Sequence, residues 1–305
     1  MSETVAERWA KARSYHHSPY TPERIAAERR ARVSVCLPAR ECALTVGEIV
    51  GALVSLREVG AIDEIVVVDA ASADGTAAVA ERAGAIVYQE AELLPAHGRV
   101  LGKGDAMWRA LSVLDGELVC FLDADTEDFS AHFATGLLGP LVCEQGVSFV
   151  KAFYRRPLGE GGTGADGGAG RAGSEGGGRV SNLMARPALA VFYPELAGVR
   201  QPLAGEIAAR RELLEDVPFA AGYGVEIGML IDVWRKLGLD AIAQVDLEEH
   251  RHAHQPLSAL VPMAQTVLAT IVARLESDGS LAEQLDPTPV ERPALKTLQL
   301  SRTQP

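Results

Sequence analysis

Leu118-Val119-Cys120-Phe121-Leu122-Asp123-Ala124-Asp125 reads as an apolar strand that delivers two carboxylates at its C-terminal end. An open α/β sheet binds its ligands at that end of its strands. Alternation along an extended chain sets residues i and i+2 on one side, so Asp123 and Asp125 can converge on one divalent cation or flank its substrate. A hard cation held there suits a diphosphate, because it neutralises charge appearing on that group as it departs. Asp-x-Asp after a strand also occurs in phosphatases and by chance, so this stretch decides the sheet before it decides the chemistry.

Working outward, strand and helix alternate. Arg32 to Leu37 reads as a strand ending at Pro38, and Val46 to Val59 carries the apolar spacing of a helix. Glu64 to Asp69 is a second strand, Asp74 to Ala83 a helix, Ala85 to Tyr88 a short strand and Gly104 to Leu114 a helix leading to the Asp-bearing strand. The pattern predicts an α/β fold with a mainly parallel central sheet flanked by helices. Gly159 to Gly178 is too poor in apolar residues to order itself and is expected to be a mobile loop. Gln201 to Glu206 is expected to precede a helix, Gly222 to Gly228 to open another running to Leu237, and Ala241 to Leu247 to form a late strand.

Composition narrows the function. With 305 residues, 48% of them hydrophobic, the chain can bury a sizeable core, and its formal charge of -12 argues against nucleic acid as a partner. Any anionic substrate must therefore find a local basic site. The four cysteines, Cys36, Cys42, Cys120 and Cys143, form no CxxC pair and fit reduced thiols of a cytoplasmic protein. Charged residues break up the first segment, so no secretory signal is read there. Leu257 to Leu275 is apolar but interrupted by Gln265, Thr266, Thr270 and Arg274, which points to a buried or dimer-forming helix and not a membrane span.

Three further places can carry chemistry. Glycines ending at Gly178 run into Arg179-Val180-Ser181 at a helix start, an arrangement suited to a phosphate, with Lys151, Arg155, Arg156 and Arg186 nearby. Read blandly, the same stretch is a linker between exposed charges. Glu226 near a helix start can serve a ligand or simply favour the helix dipole. His250, His252 and His254 alternate and would face one way on an extended chain. Arg251 between them and the lack of a nearby cysteine favour one histidine completing a carboxylate-held metal and another near an acceptor.

Taken together, these residues resemble the glucosyl-3-phosphoglycerate synthases, retaining transferases with the GT-A nucleotide-sugar transferase fold. The resemblance rests on Leu37-Pro38-Ala39-Arg40, Asp69 with Ser72-Ala73-Asp74-Gly75-Thr76, Gly102-Lys103-Gly104, Asp123-Ala124-Asp125, Lys151 to Leu158, Gly176 to Val180, Gln201 to Glu206 and Gly222 to Gly228. It implies that Asp125 and His252 bind Mg2+ or Mn2+. It places Pro38, Ala39, Arg40, Glu41, Ala70, Lys103 and Asp123 around the nucleotide sugar. Gly178, Arg179, Ser181 and His254 would bind the 3-phosphoglycerate acceptor. Glu226 would hold sugar hydroxyls, the Leu203 carbonyl would face the reacting sugar, and Lys103 would stabilise the departing diphosphate.

The implied division is a helical leader at 1–30, a nucleotide-sugar-binding part at 31–158, the Gly-rich loop at 159–178, an acceptor-binding part with its C-terminal helix at 179–285 and a flexible tail at 286–305. Where the family commonly shows Asn-Glu-Glu after Pro-Ala-Arg, this chain has Glu41-Cys42-Ala43, and where Ser-Gly commonly follows the second-strand Asp it has Ala70-Ala71. A polar partner missing from such a pocket costs about 1–3 kcal/mol, enough to change donor choice. UDP-glucose is the favoured donor, GDP-mannose the alternative, and a binding protein without turnover the reading from another class. A homodimer, no membrane partner and a cytoplasmic location complete the expectation.

Overall fold

A computed structural model describes residues 3–155, 178–250, 257–278 and 290–297. α1 (Val5–Ala12) starts with a capping box, in which the Glu7 amide donates to the Thr4 hydroxyl and the Thr4 amide to the Glu7 carboxylate. β1 (Ser14–His16) and α2 (Pro22–Glu28), with Pro22 in its first turn, follow. Next come β2 (Val33–Ala39), α3 (Val46–Glu58), β3 (Glu64–Asp69), α4 (Thr76–Ala83), β4 (Ile86–Gln89), α5 (Lys103–Ala110), β5 (Leu118–Phe121), α6 (His132–Cys143) and β6 (Phe149–Arg155). After Gly178 a π-helical turn at Ser181–Ala185 leads to α7 (Arg186–Phe192), β7 (Ile207–Arg210), α8 (Arg211–Leu214), β8 (Phe219–Ala220) and α9 (Val225–Leu237). β9 (Ile242–Glu249), α10 (Leu257–Ser277) and β10 (Glu291–Arg292) complete the described chain.

Eight strands form one sheet in the order β1-β9-β6-β7-β5-β2-β3-β4, and β8 and β10 form a separate antiparallel pair. β2 pairs in parallel with both β3 and β5, and β9 in parallel with both β1 and β6. β7 alone runs antiparallel, between β5 and β6. Both faces of the sheet are covered. Val119 and Phe121 of β5 enter one core with Trp108, Phe149 and Phe219, while Leu118, Cys120 and Leu122 enter the other with Leu37, Leu53 and Phe133. Each fully buried side chain of this kind is worth about 1.5–3 kcal/mol, so the strands carrying the site rest on the best-packed part of the molecule.

The mainly parallel sheet expected from the alternation is present, with three local differences. Residues 207–210, expected in a helix after Glu206, form β7. Their alanines favour a helix locally, but the slot between β5 and β6 supplies ladder partners on both sides, and that context prevails. The helix expected through Leu114 ends at Ala110, because the Arg211 guanidinium draws the Leu111 and Leu114 carbonyls to itself. The leader holds a strand between its helices, and that strand caps the β9 edge of the sheet.

α10 is long and apolar enough to cross a bilayer by length and composition alone. It packs instead on α9, with Val267, Ile271 and Leu275 buried and Arg274 paired to Asp232 at 2.7 Å and to Glu291. Its C-terminal half is therefore built into the core, while its N-terminal half stays largely exposed.

Candidate active site

A cavity of about 510 Å³ opens at the C-terminal ends of β2, β3 and β5. Its floor is the turn after β5. Strand pairing stops at Phe121 and residues 124–125 turn, with the Thr126 hydroxyl donating to the Asp123 carbonyl at 3.2 Å. Asp123 and Asp125 therefore both reach the cavity through a turn, not through the strand alternation expected. Thr45, at the start of α3, does not cap its own helix but donates its hydroxyl to the Ala124 carbonyl at 2.6 Å, which ties that helix to the carboxylate turn.

One wall is the loop after β2. Pro38, Ala39, Arg40, Cys42 and Ala70 line it, and the Ser72-to-Thr76 motif holds it in shape. The Ser72 hydroxyl accepts from the Glu41 amide at 2.8 Å, the Thr76 hydroxyl from the Cys42 amide at 2.8 Å and the Asp74 carboxylate from the Ala43 amide at 2.9 Å. Glu41 itself, at φ 53°, takes the Ala73 amide on its carboxylate and is not among the lining residues.

At the centre, Lys103 from the first turn of α5 lies 2.5 Å from Asp123 and 3.3 Å from Glu226 at the start of α9. The two carboxylates hold its ammonium well above the ordinary lysine value against the opposing pull of desolvation. Burial pushes the Glu226 carboxyl up, with Lys103 and Lys151 opposing. Gly205 closes over this pair. A Cβ there would collide with the Lys103 ammonium and lie 2.6 and 2.8 Å from the Asp123 oxygens, so any side chain at 205 must push this pair aside.

Partial desolvation at the cavity mouth and the neighbouring Asp123 raise the Asp125 carboxyl above its ordinary value, though the residue stays exposed. Asp123 already has a cation in Lys103, so Asp125 is the acid whose charge a divalent ion would relieve. The donor chemistry, carboxylate oxygen at the mouth of a pocket, fits a hard cation such as Mg2+ or Mn2+. His252 and His254 lie outside the described residues. His250 lines the cavity and is 2.8 Å from the buried Glu206, which also accepts from the Tyr154 hydroxyl at 2.8 Å.

Gly178, Arg179, Val180, Ser181 and Leu203 also line the cavity. Gly178 has a φ of 72°, a value that suits glycine where the chain turns into the helix. Lys151, Arg155 and Arg186, also read near this loop, do not line the cavity. Lys151 is buried and donates to the Ala204 carbonyl at 2.9 Å, its amine pushed down to about 8 by desolvation, while Arg155 faces Glu249 at 3.5 Å and Arg186 bonds Asn182 at 3.4 Å. Arg156 lies outside the described residues.

Several wall residues carry no individual reading from sequence: Glu90, Gly205, and Leu260, Met263 and Val267 of α10. Gly205 lies within the Gln201-to-Glu206 run that supported the resemblance, whereas Glu90 carries no local signal at all.

A mainly parallel sheet with a lysine-paired Asp-x-Asp turn at its strand ends, in a cavity that Gly178 and Arg179 also line, defines a nucleotide-sugar transferase of the GT-A class. The model of Glycosyl transferase family 2 matches residues 34–140. The glucosyl-3-phosphoglycerate synthase of Mycolicibacterium paratuberculosis is 44% identical over 269 residues, covering 88% of this chain and 80% of that protein. The crystal structure of mannosyl-3-phosphoglycerate synthase from Rubrobacter xylanophilus superposes with a TM-score of 0.85 at 42% identity, over 95% of this chain and 99% of that one. The glucosyl-3-phosphoglycerate synthase of Mycobacterium tuberculosis, crystallised with Mn2+, UDP-glucose and phosphoglyceric acid, gives 0.80 at 37% identity, over 93% and 98%. The chain belongs to the glucosyl-3-phosphoglycerate synthase family.

Gly205 supplies a first test. A Gly205→Ala chain is expected to fold, because the atoms its methyl group meets are ends of side chains. Displacing Lys103 and Asp123 by about 1 Å should still lower turnover about 100-fold. Unchanged kcat with a lowered Tm would contradict the placement.

Proposed function

We propose that the chain transfers glucose from UDP-glucose to the 2-hydroxyl of D-3-phosphoglycerate, with retention at the anomeric carbon. The observation that carries this reading is one cavity lined both by the Lys103–Asp123–Glu226 cluster and by Arg179 and Ser181. It offers one site for a diphosphate and a second for a phosphorylated acceptor. The loop from Pro38 to Glu41, with Ala70, would hold base and ribose. Glu226 would hold sugar hydroxyls, Leu203 would present its carbonyl to the sugar, and Gly178, Arg179, Ser181 and His254 would hold the acceptor.

Asp125 and His252 would hold the Mg2+ or Mn2+, which neutralises diphosphate charge when bound. Lys103 would stabilise the same group with its ammonium. As the bond from the anomeric carbon to phosphate oxygen breaks, its electron pair stays on the diphosphate. The acceptor oxygen bonds to the same face of the carbon and its proton passes to that phosphate oxygen. No side chain then has to be a strong base, and the protein's part is positioning and charge stabilisation. Glu226 is the acid nearest to a nucleophile's role, and its ion pair with Lys103 argues for binding instead. Trapping a glycosyl adduct on Glu226 would overturn front-face attack.

Mannosyl transfer from GDP-mannose is the second reading. It is favoured by the likeness to the Rubrobacter xylanophilus mannosyl-3-phosphoglycerate synthase and by Cys42 and Ala70 in the nucleotide wall. The deciding measurement is nucleoside diphosphate release from each donor with 3-phosphoglycerate and Mg2+. Acceptor-dependent release names the donor, and its absence with both would leave another acceptor or a binding protein. Arg179→Ala should raise the acceptor KM by about 10- to 150-fold, the loss of a charge-assisted hydrogen bond worth about 1.5–3 kcal/mol. An equal loss of donor hydrolysis in the absence of acceptor would move Arg179 away from the acceptor site.

We also infer a homodimer in the cytoplasm. Exposed Leu183 and Val191 near α7 and Val261 and Leu268 on α10 supply apolar surface for a second copy, and the free thiols suit a reducing compartment.

A further inference from the structure

Where β1 meets β9, a second group of metal-ligating side chains gathers. His16 Nε2 lies 3.5 Å and His17 Nε2 3.4 Å from Glu248 Oε1, and the three atoms all lie within 4.8 Å of one another. These separations are longer than the about 2.7–3.2 Å that an N–H···O hydrogen bond prefers. They match the about 3.3–3.6 Å edge of a tetrahedron drawn around an ion with ligands at about 2.0–2.2 Å. None of the three residues lines the large cavity.

The surroundings shape this corner. Glu248 adopts a φ of 67°, uncommon for a residue with a side chain, and its amide donates to the Asp246 carboxylate at 2.9 Å, which fixes the bend that presents the Glu248 acid. His17 Nε2 is buried and makes no hydrogen bond among the described residues. The His17 ring stands between two others, stacked on His16 at 4.6 Å and tilted against His132 at 4.3 Å between centroids. His132 is already committed, donating from Nε2 to the Leu247 carbonyl at 3.1 Å, so it walls the corner and does not enter it. His16 Nδ1 lies 2.9 Å from the Ser18 hydroxyl and 3.2 Å from the Ser18 amide. The amide can only donate, so Nδ1 is an acceptor here. The ring proton therefore sits on Nε2, so binding displaces one proton from His16.

We propose that His16, His17 and Glu248 form a second divalent-cation site, of the Zn2+ class and separate from the Asp125 site, with its remaining position open to solvent. Two imidazoles and one carboxylate suit a borderline ion such as Zn2+ or Co2+ better than Mg2+. The ion joins residues 16 and 17 to residue 248 and so fastens the sheet edge whose strand, β9, runs on to His250 in the cavity wall.

The test uses the untagged full chain, stripped with EDTA and carrying Asp125→Ala to remove the first site. Titration with Co2+ is expected to give one equivalent with the intense visible bands of tetrahedral coordination, displaced by Zn2+. Adding Glu248→Gln or, separately, His17→Ala should weaken Co2+ binding by about 10-fold or more. Absence of the bands in the Asp125→Ala chain, or their survival in both double variants, overturns the proposal. The outcome is independent of donor and acceptor identity, since no substrate enters the measurement.

Discussion

Replacing Lys103 by methionine is expected to lower transfer at least about 100- to 1,000-fold, the cost of removing one preorganised stabiliser of developing charge. Two consequences distinguish this from a simple loss of packing. Lys103 lies 3.3 Å from Glu226 and holds its carboxyl down against burial, so the Glu226 pKa should climb further in the variant. An acid raised further stays protonated to higher pH, so the acidic limb of kcat/KM should move upward. Lys103→Arg keeps the charge but brings a broader, planar head group into the space Gly205 leaves for an ammonium, and it should rescue little. Full activity of the methionine variant at neutral pH would remove Lys103 from the diphosphate site.

Asp125→Ala is expected to abolish metal-dependent turnover, both transfer and the slow donor hydrolysis that proceeds without acceptor. The neighbouring acid cannot substitute, because Lys103 lies 2.5 Å from Asp123 and already neutralises it. The stability effect should have the opposite sign. The Asp125 carboxyl is raised above its ordinary value, so as an anion it disfavours the folded state at neutral pH, and that penalty is relieved as pH falls through the raised value. Melting the metal-free variant beside the metal-free parent should therefore show an equal or higher Tm at pH 7. A large fall in Tm would mean that the turn, and not its charge, had been lost.

Much of this arrangement is legible in the sequence where one residue pattern serves one purpose. β2, β3 and β5 are apolar runs buried on both faces, and α3 repeats its buried positions Val46, Ile49, Val50, Leu53 and Leu56 at helical spacing. β1, β7 and β8, with three, four and two residues, are too short to show a period of their own and become strands only through their neighbours. Among site residues, Asp123, Asp125, Lys103 and Arg179 announce themselves by charge beside glycine or at a strand end. His250 does not. It belongs to an alternating histidine series whose common direction would suit a ligand set, yet it is held by Glu206, a partner 44 positions earlier in the chain. Lys151, read as part of a basic rim, is buried because the Ala204 carbonyl needs a donor at that depth.

The order of strands also bears on how the chain reaches this state during synthesis. Ser14 pairs with Gln244, and the β5–β7 and β6–β9 ladders likewise join segments far apart in sequence. Most of the chain must therefore leave the ribosome before β9 can settle between β6 and β1. Until then β6 has an open edge, the kind of surface on which unfinished chains pair with one another. Slow refolding from denaturant, with yield falling as protein concentration rises, is the behaviour this topology carries with it.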